Sequence, residues 1–246
     1  MSVRAKGSAV AASLLAAAAC GCGTAASIGL EPPKPQPLEV AAIVGCTGSE
    51  AEMRAPGQLF EKAALQVARR TAEQSGTFSL ACVGRNPKGS AAFAVEHEPF
   101  ASRYNTPSRR QDDLNDQADK LRPDILKALR RTAKEWGSRV DQMLKLGAEE
   151  VATGNGRRVV VIISDGMSTD GRPGRFHAYR HPPMTTAQVQ AAVQKVKDDG
   201  ELPDLHSGSR PIEVYFLGVR DGRNVLDPDG TAAVDAFLAG LVHTAG

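Results

Sequence analysis

Aromatic residues make up only 4% of the 246-residue chain, with one tryptophan and three tyrosines, so aliphatic and alanine packing must build the core. Charge of one sign is missing too. A formal net charge of +2 argues for neither nucleic acid nor an acidic surface as partner. No basic run is interleaved with aromatics, which excludes a nucleic-acid interface of the usual kind. No apolar run is long enough to span a bilayer: Ala9 to Ala19 covers about 11 residues, where a helical span needs about 20. A Gly-x-Ser-x-Gly elbow is likewise absent and no Cys–His pairing is evident, so these two enzyme signatures are missing. What is present suits a globular protein, with 41% hydrophobic and 24% charged residues. The length allows one domain of ordinary to large size or two very small ones.

Residues 1–19 read as a signal peptide. Arg4 and Lys6 form a positive start, the apolar run follows, and small residues lead into Cys20-Gly21-Cys22-Gly23. The stretch ending in Cys20 resembles a bacterial lipobox, in which the cysteine is lipidated and becomes the new N-terminus. The match departs at Ala17, where leucine is usual, and Cys22 is a second candidate. Removing residues 1–19 takes both early basic residues with it and leaves a formally neutral chain. Lipidation implies a protein held to the cell membrane on the exported side, with plain secretion as the alternative. Between Cys20 and residue 37, Pro32, Pro33, Pro35 and Pro37 favour an extended spacer, or an ordinary N-terminal tail.

From residue 38 to 246 there is no internal repeat and no second linker, which predicts one domain. Glu39 to Val44 reads as a strand. A helix is predicted from about Gly57 to Gln74, with Leu59, Phe60, Ala63, Ala64 and Val67 on its apolar face and Gly76 as its stop. Thr77 to Val83 and Ala91 to Val95 are strands joined as a hairpin. A long helical region follows, interrupted at Pro123 and resumed on Ile125, Leu126, Leu129, Ala133 and Trp136. Val140, Met143, Leu144, Ala148 and Val151 form a further apolar face. Arg157 to Ser164 contains five consecutive β-branched residues and suits a strand buried on both faces. A helix from Thr186, a strand over Ile212 to Val219 and a helix carrying Val234, Phe237, Leu238 and Leu241 complete the chain. Strands alternating with helices predict an α/β fold: a mostly parallel, Rossmann-like central sheet with helices on both faces and one hairpin edge strand.

Sites in such sheets lie at the carboxyl ends of the strands, so the loops after the first and fourth long strands should meet at one crevice. The first loop contains Gly45-Cys46-Thr47-Gly48-Ser49 and the second Asp165-Gly166. A dinucleotide loop fits the first poorly. It lacks a third glycine, Glu50 and Glu52 stand where pyrophosphate would sit, and Pro56 delays the helix. The run VVVIISDGMST resembles the fourth strand and following turn of von Willebrand factor type A domains, and the order of elements over residues 38–246 is similar to that family. A sixth strand, which the family would have, is not evident.

The resemblance implies a metal-ion-dependent adhesion site, where hard cations take oxygen ligands and an open position accepts a partner's carboxylate. In this sequence Gly45 takes the place of the family's first aspartate. Thr47 and Ser49 take its two hydroxyl positions, Asp165 takes the second carboxylate, and Ser138 is a stand-in for its threonine. With the acid at position 45 missing, Mg²⁺ or Mn²⁺ is expected to bind weakly or not at all. Thr47 or Ser49 equally serves to cap the following helix, and Asp165 to order a turn with Gly166. In the implied fold the strands bearing Cys46 and Cys82 are neighbours. A disulfide between them, permitted by export, would close about 36 residues and contribute roughly 4 kcal/mol. The alternative is two small buried thiols. His177, His181 and His206 read as surface-loop histidines rather than a zinc site. The function implied is a lipid-anchored module that binds an envelope protein or other macromolecule through the crevice formed by Gly45, Thr47, Gly48, Ser49, Ser138, Asp165 and Gly166. The alternatives are a small-ligand sensor or hydrolytic enzyme using that crevice, and a structural envelope component making its contacts through residues 106–136.

Overall fold

The computed structural model describes residues 37–45, 56–83, 93–132, 139–164, 172–178, 183–208, 210–218 and 228–246. Five strands form one sheet in the order β3-β2-β1-β4-β5. These are β1 (Leu38–Gly45), β2 (Thr77–Val83), β3 (Phe93–Pro99), β4 (Arg157–Ser164) and β5 (Ile212–Gly218). β1 pairs in parallel with β2 and β4, and β4 with β5, while β3 runs antiparallel to β2 at one edge. The fold class is therefore the expected one.

Alternation along the central strands sorts the core into two layers. Val40, Ala42, Val44, Phe78, Leu80, Val159 and Val161 face one side. There they meet α1 (Pro56–Glu73), α2 (Pro107–Lys120) and α3 (Arg122–Thr132) through Phe60, Ala64, Leu114 and Ile125. Ala41, Ile43, Val160 and Ile162 face the other. Their partners are α4 (Val140–Glu150), α5 (Thr186–Asp198) and α6 (Pro228–Ala245), through Met143, Leu144, Val193 and Phe237. β1 and β4 are buried along nearly their whole length, which is why both read as unbroken apolar runs rather than alternating ones.

Local chemistry sets the helix limits. Thr185 opens α5 with a capping box: the Gln188 backbone N–H donates to the Thr185 hydroxyl and the Thr185 N–H to the Gln188 side chain. α2 has Pro107 in its first turn and gives way at Leu121 to α3, which tolerates Pro123 because it also lies in a first turn. The left-handed residue at the end of α1 is Ser75 (φ 52°), not Gly76. Two other expectations are corrected. The third strand lies over Phe93–Pro99 rather than Ala91 to Val95. Leu59 stands 40% exposed near the start of α1 instead of joining the core. A sixth strand is not found among the described residues. Among them, no helix is long and apolar enough to cross a membrane.

The entry to β1 is pinned to the loop before β4. The Arg157 backbone N–H donates to the Pro37 carbonyl at 2.9 Å. Gly156 makes this approach possible, since a Cβ there would lie 1.8 Å from the Pro37 carbonyl oxygen. Gly156→Ala is expected to lower unfolding free energy by about 2 kcal/mol, because the clash is with backbone and cannot be relieved by a rotamer change. Urea denaturation with an unchanged m-value checks it.

Candidate functional site

The strand order contains one switch point. From β1 the chain crosses through α1 to β2 on one side, and from β4 it crosses through α5 to β5 on the other. Crossovers in opposite directions put α1 and α5 on opposite faces of the sheet, which opens a gap where β1 and β4 end side by side. The ladder runs in unbroken register from Leu38 opposite Arg157 to Val44 opposite Ile163. The next residues are Gly45 and Ser164. They are so close that a Cβ on Gly45 would lie 3.1 Å from the Ser164 hydroxyl oxygen. The start of α4 approaches the same rim, with Met143 Cε 3.2 Å from that Cβ position.

Of the sequence-predicted site residues, Gly45 is described. Thr47, Gly48, Ser49, Ser138, Asp165 and Gly166 lie outside the described residues, as do Cys20, Cys46 and His181. The structure thus brings together the points from which these loops depart. Cys82 is buried near the end of β2, opposite Val44 in the ladder. His177 and His206 are not part of any group of three or more potential metal ligands among the described residues. The direction of a side chain at position 45 bears on the missing acid. It would head between Ser164 and the thioether of Met143, an apolar neighbour and a poor setting for a carboxylate.

Beside the rim lies a feature invisible in the sequence. Residues 172–178, downstream of β4, carry Arg172, Arg175 and Phe176. Arg175 is 5% exposed and Asp141, in the first turn of α4, only 2%. Glu201 receives Arg139 at 2.6 Å, Arg175 at 2.6 Å and Arg172 at 3.0 Å. Arg139 also meets Asp141 at 2.6 Å, and Arg175 pairs with Asp199, which Lys195 joins at 2.7 Å. Phe176 stacks on Phe237 of α6 with ring centroids 4.2 Å apart. The segment leaving β4 is therefore tied to α4, to the end of α5 and to α6. Burial works against the Glu201 carboxylate, but the Arg172 hydrogen bonds and the three arginine charges outweigh it and pull its pKa down to about 2. Hydrogen bonding from Lys195, then the Arg175 charge, hold Asp199 below the ordinary carboxylate range against partial burial. These seven charged residues come from three separate segments and follow no common period, so no sequence pattern could have found them.

No family model matches the chain, and no curated protein matches it. Among solved structures it is similar to the pilus adhesin SpaC from Lactobacillus rhamnosus GG, with 13% identity over 88% of this chain and 30% of that one and a TM-score of 0.42. It is also similar to an aerotolerance-related membrane protein from Bacteroides fragilis, with 13% identity over 83% of this chain and 88% of that one and a TM-score of 0.43. A third is the vWF domain of the type V pili tip protein Mfa5 from Porphyromonas gingivalis, with 11% identity over 69% and 52% and a TM-score of 0.35. The chain spans under a third of the pilus adhesin's length. Likeness at this level decides nothing about binding, and the α/β architecture stands on the strand order and registers above.

The charge cluster should make stability depend on acid. A carboxylate whose folded pKa is depressed contributes stability above its unfolded value and loses it as pH falls through the folded one. For Glu201 that window runs from the ordinary 4.5 down to about 2. Stability should fall across it, and Glu201→Gln should flatten this part of the profile while costing about 2 kcal/mol at neutral pH, since three arginines lose a shared partner that is partly solvated. Thermal melts at stepped pH read both effects.

Proposed function

We propose that this chain is an exported, lipid-anchored, von Willebrand type A-like module that binds a protein or other macromolecule of the cell envelope at the rim where β1 and β4 end. In this reading residues 1–19 are removed, Cys20 carries the lipid, residues up to 37 form the spacer, and residues 38–246 are the binding domain. The supporting observation is the switch point, with Gly45 and Ser164 side by side at the carboxyl ends of two parallel strands. Thr47, Gly48, Ser49, Ser138, Asp165 and Gly166 belong to the segments that leave this rim or lead to it, and they supply hydroxyls, one acid and two glycines suited to close backbone approach.

The rim is proposed to work without a firmly held cation. Gly45 offers no carboxylate, and the space a side chain would enter there is bounded by Met143 and Ser164. One negative charge and neutral oxygens compete poorly with water for Mg²⁺, which dehydrates reluctantly. Recognition would then rest on direct hydrogen bonds and shape.

The test uses the full chain as bait in membranes of the source cell type, with cross-linking before capture. Thr47→Ala/Asp165→Ala should lose the captured species while keeping the parent's melting temperature, and chelator should leave capture unchanged. The same species recovered equally by parent and double variant would overturn the rim as the binding face. Cys20→Ser should move the chain from the membrane to the soluble fraction. In calorimetry, Mg²⁺ and Mn²⁺ should give little heat with the parent and more with Gly45→Asp; tight binding by the parent contradicts the cation-independent reading.

A further inference from the structure

The two edges of the sheet are built differently. β3 carries Glu96, His97, Glu98 and Pro99, and its pairing with β2 shifts register between Phe78 and Leu80 and again before Ala81. His97 sits at φ 48°, its N–H held by the Ser79 hydroxyl at 2.9 Å. Charge, proline and bulge are the means by which an edge strand is kept from pairing with another chain. β5 has no such device from Val214 onward. Its register with β4 is unbroken from Ile212 to Gly218, and it contains no proline. Its one charge, Glu213, accepts two hydrogen bonds from Arg157 at 2.7 Å and one from the Tyr215 hydroxyl at 2.8 Å.

The outward backbone groups of β5 can be assigned. The Ile212 N–H donates to the Leu205 carbonyl at 2.7 Å and so points away from β4. Alternation along a strand then turns the N–H and C=O of Val214 and Phe216 outward as well. Among the described residues nothing bonds to them. The side chains of Val214, Tyr215, Phe216 and Leu217 are all half-buried, so the helical layers stop short of this edge on both faces.

We propose that this edge is an interface with a second copy of the chain, β5 pairing antiparallel with its equivalent about a twofold axis through Tyr215. The edge asks for an extended, proline-free strand, uncharged from Val214 onward, whose outward backbone groups are unbonded among the described residues, and β5 is itself such a strand. In this register Val214 lies opposite Phe216 of the second copy and the reverse, giving about four backbone hydrogen bonds. Glu213 lies opposite Leu217 and not opposite its own equivalent, so like charges do not meet. The interface is isologous and closes at two copies, because pairing consumes both edges. The proposal does not depend on the rim, and either can fail alone.

The test is sedimentation of the full chain, kept unlipidated by Cys20→Ser and Cys22→Ser, from micromolar to near-millimolar concentration. The expected result is a concentration-dependent dimer, weak because an edge pair buries little area. Phe216→Pro removes an outward N–H that makes no bond within the sheet and should weaken association about tenfold or more while the chain stays folded. If that variant does not fold, oxidative cross-linking decides. Tyr215→Cys should form a disulfide dimer much faster than Glu213→Cys, whose two copies would stand about 14 Å apart; both share the background of Cys46 and Cys82. A monomer at every concentration overturns the proposal, whatever else then pairs with the edge. So does a dimer unaffected by Phe216→Pro, or equal cross-linking at 213 and 215.

Discussion

The parallel pairing of β1 with β4 is the contact on which the remaining structure rests. These two strands are separated by more than a hundred residues in the chain, yet they hold an unbroken register from Leu38–Arg157 to Val44–Ile163. A slip of one residue would turn every side chain of one strand to the opposite face. It would present Ala41 and Ile43 to α1 and Val40 and Ala42 to α4, exchanging contacts that both layers need. The register is fixed at its start by the Pro37–Arg157 hydrogen bond, which the missing side chain of Gly156 allows. It is read out at its end as the juxtaposition of Gly45 and Ser164. One constraint therefore sets both the core and the rim.

The two helical layers treat charge differently. On the α1 side the pair Arg69–Asp119 is exposed, with 50% and 46% of the side-chain surface kept, and such a pair contributes little. On the α4–α6 side, Arg175 and Asp141 are almost fully removed from water, where a charge persists only if surrounded by partners. The difference follows from what must be fastened. The α1 layer is held to the sheet by an apolar face. The other layer must hold the segment that follows β4, which brings few apolar residues apart from Phe176 and Ala178. Arginines reaching to Asp141, Asp199 and Glu201 do what hydrophobic area cannot do there. Arg158 does similar work at the start of β4, buried and donating to the carbonyls of Ala152, Ser207 and Arg210.

How much of this was legible depended on range. β4 was readable to the residue because five β-branched residues in a row leave no helical alternative, and Arg157 and Ser164 mark the change in composition at its ends. β3 was misplaced because Glu96-His97-Glu98-Pro99 resembles loop sequence. What holds it in the sheet is a bulge supported by Ser79, 18 residues earlier. Leu59 fitted the helical period but stands 40% exposed in the first turn of α1, next to Phe60, which is buried in the core. At the candidate site, the order of elements was enough to bring the ends of two strands together. The charge cluster beside it depends on contacts across as many as 62 residues, between Arg139 and Glu201, and no local pattern encodes that.

Direction along the sheet ties these parts to the proposed function. β1 enters at Pro37 and leaves at Gly45, and eight extended residues cover about 26 Å. The chain therefore enters β1 at the end of the sheet opposite the rim. The β5 edge runs along the strands, beside β4 and away from the rim. Because β5 pairs antiparallel in the proposed dimer, the two rims would face opposite ends of it, and the pairing would cover neither. A multivalent partner would therefore have to reach one rim from each end of the dimer rather than both from one side.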